Sequence, residues 1–302
     1  MYELIQAGEN TYYIDCPVKM GLYRTGKTDV VLIDSGSDKD AGKKVLKHLK
    51  MQGWNLAAVY HTHAHADHIG GNRVLQERTG CNIYAPGAEA AFVNYPFLEG
   101  ALLGGGFPYQ ELRGKFLLAE ASKAEILTPD RLPEGLEALP LPGHSPEMTG
   151  YRTADSVVFL GDCVTSEAAM DKYGVPYNYD VRATLETLDA VEGMEASLFV
   201  PAHAEAVEDI RPLVQANRRR IEDIIRRIIE LCERPRTVED ILRILFGAYM
   251  LHINFQQYAL IGSAVRSYLA CLRDKGLVIP SFRDNRQVWT RDEKAVSRET
   301  TV

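Results

Sequence analysis

The chain predicts an α/β fold in its first two-thirds, followed by a smaller helical domain. Short β-rich runs fill the N-terminal region, a histidine-rich loop follows one apolar strand, and the composition shifts near residue 210. At 302 residues the chain exceeds one average domain, and with 46% apolar residues it can bury a sizeable core.

In chain order, Tyr2–Ile5, Thr11–Asp15, Gly21–Arg24 and Val30–Ile33 read as strands, broken by turn residues. Asp38 to Met51 has helical spacing at Ala41, Val45, Leu46 and Leu49 and stops at Gly53. His48 lies among lysines on that helix and is expected at the surface. Leu56–Tyr60 is a continuous apolar run, as in a buried strand. Arg73–Arg78 reads as a helix and Cys81–Ala85 as a strand.

From Pro86 to Pro129 the chain makes an excursion rich in aromatic and apolar residues, with Gly104-Gly105-Gly106 inside it. Two readings stay open. The excursion is a lid that lines a pocket or packs a homodimer interface, or it is extra core. Glu125–Leu127, Leu136–Leu141, Gly150–Thr153 and Ser156–Gly161 return to strands, the last two as a hairpin around Ala154-Asp155. Asp180 caps a helix whose apolar face runs Val181, Leu185, Leu188, Val191.

Residues 1–210 carry 17 Lys/Arg and 30 Asp/Glu, a net −13, whereas residues 211–302 carry 17 and 11, a net +6. This contrast sets a domain boundary near 210. Behind it, Pro212 opens a long helix through Cys232. Thr237 with Asp240 three residues later reads as a capping box. A third helix spans Phe255 to Lys275, and Leu277–Pro280 with Arg286–Thr290 forms a hairpin. No run of 18 apolar residues is present, so no membrane span is expected. The start lacks a secretory pattern. Five scattered cysteines, an odd number, suit reduced thiols in a cytoplasm.

The chemistry centres on His63, His65, Asp67 and His68, an H-x-H-x-D-H run at the end of Leu56–Tyr60. Imidazole and carboxylate together suit Zn²⁺, Fe²⁺ or Mn²⁺. In a locally extended backbone the side chains at 63 and 65 point the same way. Gly143 precedes His144 where a turn that aims one imidazole often needs positive φ. Asp162 follows the apolar Val157–Leu160, and His203 follows Leu198–Val200.

These motifs, with Ile33-Asp34-Ser35-Gly36 ahead of them, resemble in order those of the metallo-β-lactamase-fold metallohydrolases, a superfamily that includes glyoxalase II. The resemblance covers the first two-thirds of the chain. It implies an αββα sandwich over residues 1–210, with two divalent metal ions, zinc first and iron or manganese as alternatives. One metal would take His63, His65 and His144, the other Asp67, His68 and His203, with Asp162 between them. Asp34 would fix a ligand's tautomer and orientation, or it is an ordinary turn aspartate. Cys163 is read as packing. Tyr173, Tyr177 and Tyr179 either offer hydroxyls to a substrate or pack half-buried. Residues 211–302 resemble a winged helix, as in the β-lactamase-like endoribonucleases.

The expected reaction is hydrolysis of a small thioester, ester or lactone by a hydroxide shared between the metals. Asp67 would orient the nucleophile and pass a proton to the leaving group. The competing reaction is metal-dependent RNA cleavage, with nucleic acid bound by the basic C-terminal domain. A mononuclear iron dioxygenase stands behind both. The expected partner is a small-molecule substrate.

Overall fold

The computed structural model of the protein describes residues 2–293; Met1 and residues 294–302, the end of the expected C-terminal domain, lie outside the described residues. The first sheet has seven strands in sequence order: β1 (Glu3–Gln6), β2 (Thr11–Asp15), β3 (Met20–Arg24), β4 (Asp29–Ile33), β5 (Asn55–Tyr60), β6 (Asn82–Ala85) and β7 (Glu125–Ile126). β1 to β4 pair antiparallel and β4 to β7 pair parallel. The crossovers between the parallel strands carry helices. α1 (Lys39–Gln52) is capped by Asp38 and closed by Gly53 in the left-handed conformation. α2 (Ala66–Ile69) and α3 (Asn72–Thr79) follow β5. α4 (Glu89–Asn94) and α5 (Phe97–Gly104) lie in the excursion after β6.

The second sheet has the order β11-β10-β9-β8, built from β8 (Leu136–Pro140), β9 (Thr149–Thr153), β10 (Val157–Thr165) and β11 (Leu198–His203). Between β10 and β11 come α6 (Glu167–Tyr173) and α7 (Val181–Glu192), the latter capped by Asp180. The chain closes with α8 (Arg211–Leu231), α9 (Val238–Ala248), α10 (Phe255–Asp274) and the hairpin β12 (Val278–Arg283) with β13 (Arg286–Arg291).

Strand alternation produces the layers. On β4, Val30 and Leu32 face α1 and α3, while Val31 and Ile33 face the other sheet. On β10, Val157 and Phe159 point into the space between the sheets, and Val158 and Leu160 point outward to the later helices. The result is helix, sheet, sheet, helix, as the resemblance implied.

The outer apolar cluster runs without a break from Leu141, Val158 and Leu188 through Ile221, Ile224 and Ile228 to Leu245, Val265 and Leu269. Residues on both sides of 210 therefore share one core, and the change in charge coincides with no gap in packing. Among the described residues three helices and a hairpin follow residue 210, and Arg236 bridges Trp289 of β13. The excursion after β6 packs onto the last long helix: Leu103, Leu112 and Leu117 meet Ala259 and Leu260. His48 is half-buried rather than fully at the surface, because its Nε2 reaches the Tyr2 carbonyl at 2.9 Å. Among the described residues no helix is long and apolar enough to cross a membrane. All five cysteines are free, four of them buried.

The Thr237 hydroxyl accepts from the Asp240 amide, and the Asp240 carboxylate accepts from the Thr237 amide, completing the capping box of α9. Thr237→Ala should cost about 1 kcal/mol, read as a lower denaturation midpoint with bound metal unchanged.

Candidate metal centre

The centre forms where the ends of β4, β5, β10 and β11 meet. β5 ends at Tyr60, and His63 and His65 follow on an extended stretch, their rings 4.5 Å apart. The short α2 then turns Asp67 and His68 into the same space. Gly70 and Gly71 let this loop lie against the turn after β4: a Cβ on Gly70 would sit 2.4 Å from the Ser37 carbonyl carbon, and one on Gly71 2.3 Å from the Ser35 oxygen. His144 is aimed from its loop by Gly143, whose φ is +131° and whose Cβ would collide with the Thr184 amide at 2.4 Å. Asp162 lies within β10, and His203 ends β11.

All seven sequence-predicted donors come together. His63, His65 and His144 form one set within 4.8 Å; Asp67, His68 and His203 form another; His63, His68 and Asp162 form a third that joins them. Asp162 spans the two, with Oδ2 3.5 Å from His144 Nε2 and 3.3 Å from His203 Nε2, and Oδ1 3.1 Å from His68 Nε2. The side chains fit a cation on three counts. His63 Nε2 is buried without a hydrogen-bond partner, and buried His68 Nε2 and Asp162 Oδ1 face each other at 3.1 Å without hydrogen-bond geometry. His144 Nε2 faces His65 Nδ1 at 2.9 Å, an approach of two ring nitrogens that suits ligation of one ion through bonds of about 2.0–2.1 Å. The far nitrogens of three rings are all engaged, which turns the near ones inward.

Asp34 does much of that turning. It sits at the end of β4 with φ of 58° and is almost fully buried. Its Oδ2 accepts from His68 Nδ1 at 2.8 Å and from the Thr62 hydroxyl at 2.7 Å. Its Oδ1 accepts from the Thr62 amide at 2.9 Å and from His61 Nδ1 at 3.2 Å. The Thr62 hydroxyl, its proton given to Asp34, accepts from His63 Nδ1 at 2.9 Å. His144 Nδ1 donates to the Tyr177 carbonyl at 3.0 Å.

Two carboxylates that the motifs do not reveal also belong here. Glu89, on α4, accepts from the Ala64 amide at 3.0 Å, the Ser145 hydroxyl at 2.7 Å and the Glu147 amide at 3.3 Å. It thus ties the His63–His65 loop to the His144 loop. Glu99, on α5, is buried in the wall of the adjoining cavity. Burial, then Asp67 and Glu89 nearby, push its carboxyl well above the usual range. A glutamate on a short helix carries no local sign of such burial. His61, unassigned by motif, is fully buried between Asp34 and Asn72 Oδ1.

The centre opens into a cavity of about 230 Å³. Tyr173 and Tyr177 line it, and the Tyr177 ring lies 5.4 Å from that of His65. Tyr179 is 43% exposed and is not among the lining residues. Cys163 is packed in the outer core, where burial pushes its thiol far up.

The two donor sets differ in charge. Burial holds the His63 and His144 rings below their ordinary range and takes His65 to about 3, leaving them neutral. Burial would lower His68 and His203 too. Asp162, Asp34 and Asp67 instead hold His68 well above its ordinary value, and Asp162 with Asp67 raises His203 to about 10. Metal loading of the metal-free protein near neutral pH should therefore release about two protons. Titration calorimetry in buffers of different ionisation enthalpy reads this, and a buffer-independent heat would contradict it. Glu89→Ala should weaken the ion at His63, His65 and His144 by roughly 10–100-fold, whereas Asp34→Ala should weaken binding across the whole cluster; chelator competition separates the two.

The family model of the Metallo-beta-lactamase superfamily matches residues 13–203. A probable metallo-hydrolase of Bacillus subtilis (strain 168) is 26% identical over 186 residues, covering 59% of this chain and 77% of that protein. A hydroxyacylglutathione hydrolase of Erythrobacter litoralis (strain HTCC2594) is 42% identical over 57 residues, and the match spans only 18% of this chain and 23% of that protein. A beta-lactamase domain protein from Burkholderia ambifaria superposes with a TM-score of 0.73 at 18% identity, covering 96% of this chain and 94% of its own, a likeness of fold alone. With its donor motifs inside the matched segment, the chain belongs to the metallo-β-lactamase superfamily, whose hydrolases it resembles in sequence and fold.

Proposed function

We propose that the protein hydrolyses a thioester, ester or lactone with two divalent metal ions, zinc foremost. The observation that carries this is a seven-donor cluster opening directly into a cavity whose walls are mostly apolar. His63, His65 and His144 would hold one ion, Asp67, His68 and His203 the other, and Asp162 would touch both. Ions there supply Lewis acidity toward a scissile carbonyl and lower the pKa of a water toward neutrality.

The chain's own groups do the rest. Burial pushes Asp67 up, but His68 and His203 pull it down to about 2, so its carboxylate stays ionised and can accept or relay a proton. Glu99, its carboxyl pushed well up by burial and by Asp67, would offer a proton donor beside Asp67. Tyr177 backs His144 through its carbonyl and flanks His65 with its ring. The neighbouring apolar wall excludes water from the reacting end.

Phosphodiester cleavage finds less support. Arg218 pairs with Asp189 at 2.6 Å, Arg220 with Asp171 at 2.6 Å, and Arg226 and Arg227 both pair with Asp223. Several of the arginines after residue 210 are thus met within the protein.

Protein purified without chelator should carry close to two equivalents of zinc. Asp67→Asn should lower carbonyl hydrolysis by roughly 10–100-fold or more. A panel of thioesters, aryl esters, lactones and single-stranded RNA, run with wild type and Asp67→Asn, checks the reaction. Asp67-dependent cleavage of RNA alone would replace this reading with a nuclease, and one equivalent of iron would point to a dioxygenase.

A further inference from the structure

The cavity's charge is as telling as its shape. Asp67, Asp162 and Glu99 line its metal end, where bound ions would neutralise the two aspartates. Among the described residues no lysine or arginine lines it. Two cations on neighbouring elements are engaged elsewhere. Lys172 lies over the outer ring of Tyr173 at 4.9 Å, and Arg220 is held by Asp171 and by the Met170 and Gly174 carbonyls. Away from the metal end the walls are apolar: Leu117 from the excursion, Val175 and Pro176 from the loop after α6, Ile221 from α8, Leu260 and Ile261 from α10. Two polar atoms there stand out, Asn178 Nδ2, which can donate, and Gln257 Oε1. Gln257 Oε1 is buried, lacks a hydrogen-bond partner and belongs to a lining residue, so it can accept from an N–H or O–H.

We propose that the substrate is an uncharged acyl compound with a medium-length apolar chain, and that the cavity discriminates against anionic thioesters such as those of glutathione. This rests on the hydrolase reading above and narrows it. The apolar chain would lie between the excursion and α10, with its carbonyl at the donor cluster. A carboxylate lodged against the apolar walls, away from the donor cluster, would lose its water and meet no lysine or arginine in return, which is strongly unfavourable. The chain itself gains from burial, because each methylene taken from water adds favourable transfer energy.

The test uses the metal-loaded wild type and matched thioesters: one acyl group on neutral N-acetylcysteamine and the same group on glutathione. With acyl groups of about four to about ten carbons, kcat/KM for the neutral series should climb about two- to four-fold per methylene until the cavity is full. At equal chain length the glutathione partner should be poorer by about tenfold or more. Gln257→Lys, which places a cation in the wall, should narrow that gap and depress the longer neutral substrates. Equal or better turnover of the glutathione series, or indifference to chain length, would overturn the inference while leaving the hydrolase reading intact. If no thioester, ester or lactone is cleaved at all, the hydrolase reading fails separately. Calorimetric titration with a neutral alkyl amide and an alkyl sulfonate of equal length then reads the cavity directly: preference for the amide supports the charge selectivity, and preference for the sulfonate refutes it.

Discussion

A single buried carboxylate organises this molecule. Asp34 accepts hydrogen bonds from His61, His68 and twice from Thr62, and every one of those donors lies in the segment between β5 and the end of α2. A carboxylate so deep would be costly in isolation, and the four bonds are what keep it ionised. Burial alone would raise its pKa; His68 and His61 bring it below the ordinary value. The same bonds set the protonated edge of His68 directly and of His63 through Thr62. The left-handed backbone at Asp34 bends the chain off β4 so that the carboxylate faces that segment. Two parallel strand ends are thereby locked together at the point where the donors emerge.

Much of this was legible beforehand, for a physical reason. Four donors lie within six residues, so their chemistry shows in local spacing, and His144, Asp162 and His203 each follow a strand or a glycine that announces a turn. The layers were legible because alternation on β4 and β10 writes each face into the residue order. What stayed hidden depends on contacts distant in sequence. Glu89 and Glu99 look like any glutamates on short helices, and only the fold buries them against the donor loops. His48 sits among lysines yet meets the Tyr2 carbonyl, 46 residues away. His61 next to the motif gave no hint of its pairing with Asn72. Tyr173 ends α6 and Tyr177 and Tyr179 follow on the loop behind it, and Tyr173 and Tyr177 line the cavity whereas Tyr179 does not.

Charge composition and packing tell different stories about the chain's second part. The sign of the net charge changes near residue 210, yet α8 buries Val214, Ile221, Ile224 and Ile228 in the same cluster as β10. Its arginines lie on the other faces, where acidic partners such as Asp189 and Asp171, on α7 and α6, meet two of them. A basic stretch can therefore mark complementarity between neighbouring helices of one protein. Its charge then serves the fold before it serves any outside partner.

The placement of α10 has an evolutionary reading. The donors come from residues 63 to 203, whereas Gln257, Leu260 and Ile261 reach the cavity from more than fifty residues beyond the last of them. Part of the cavity wall is thus encoded well apart from the donors, although Leu117, Val175 and Pro176 come from among them. Changes in that later stretch can reshape the wall while the donors stay held by the Asp34 network. Such a division of labour lets a lineage diversify its diet without rebuilding its chemistry.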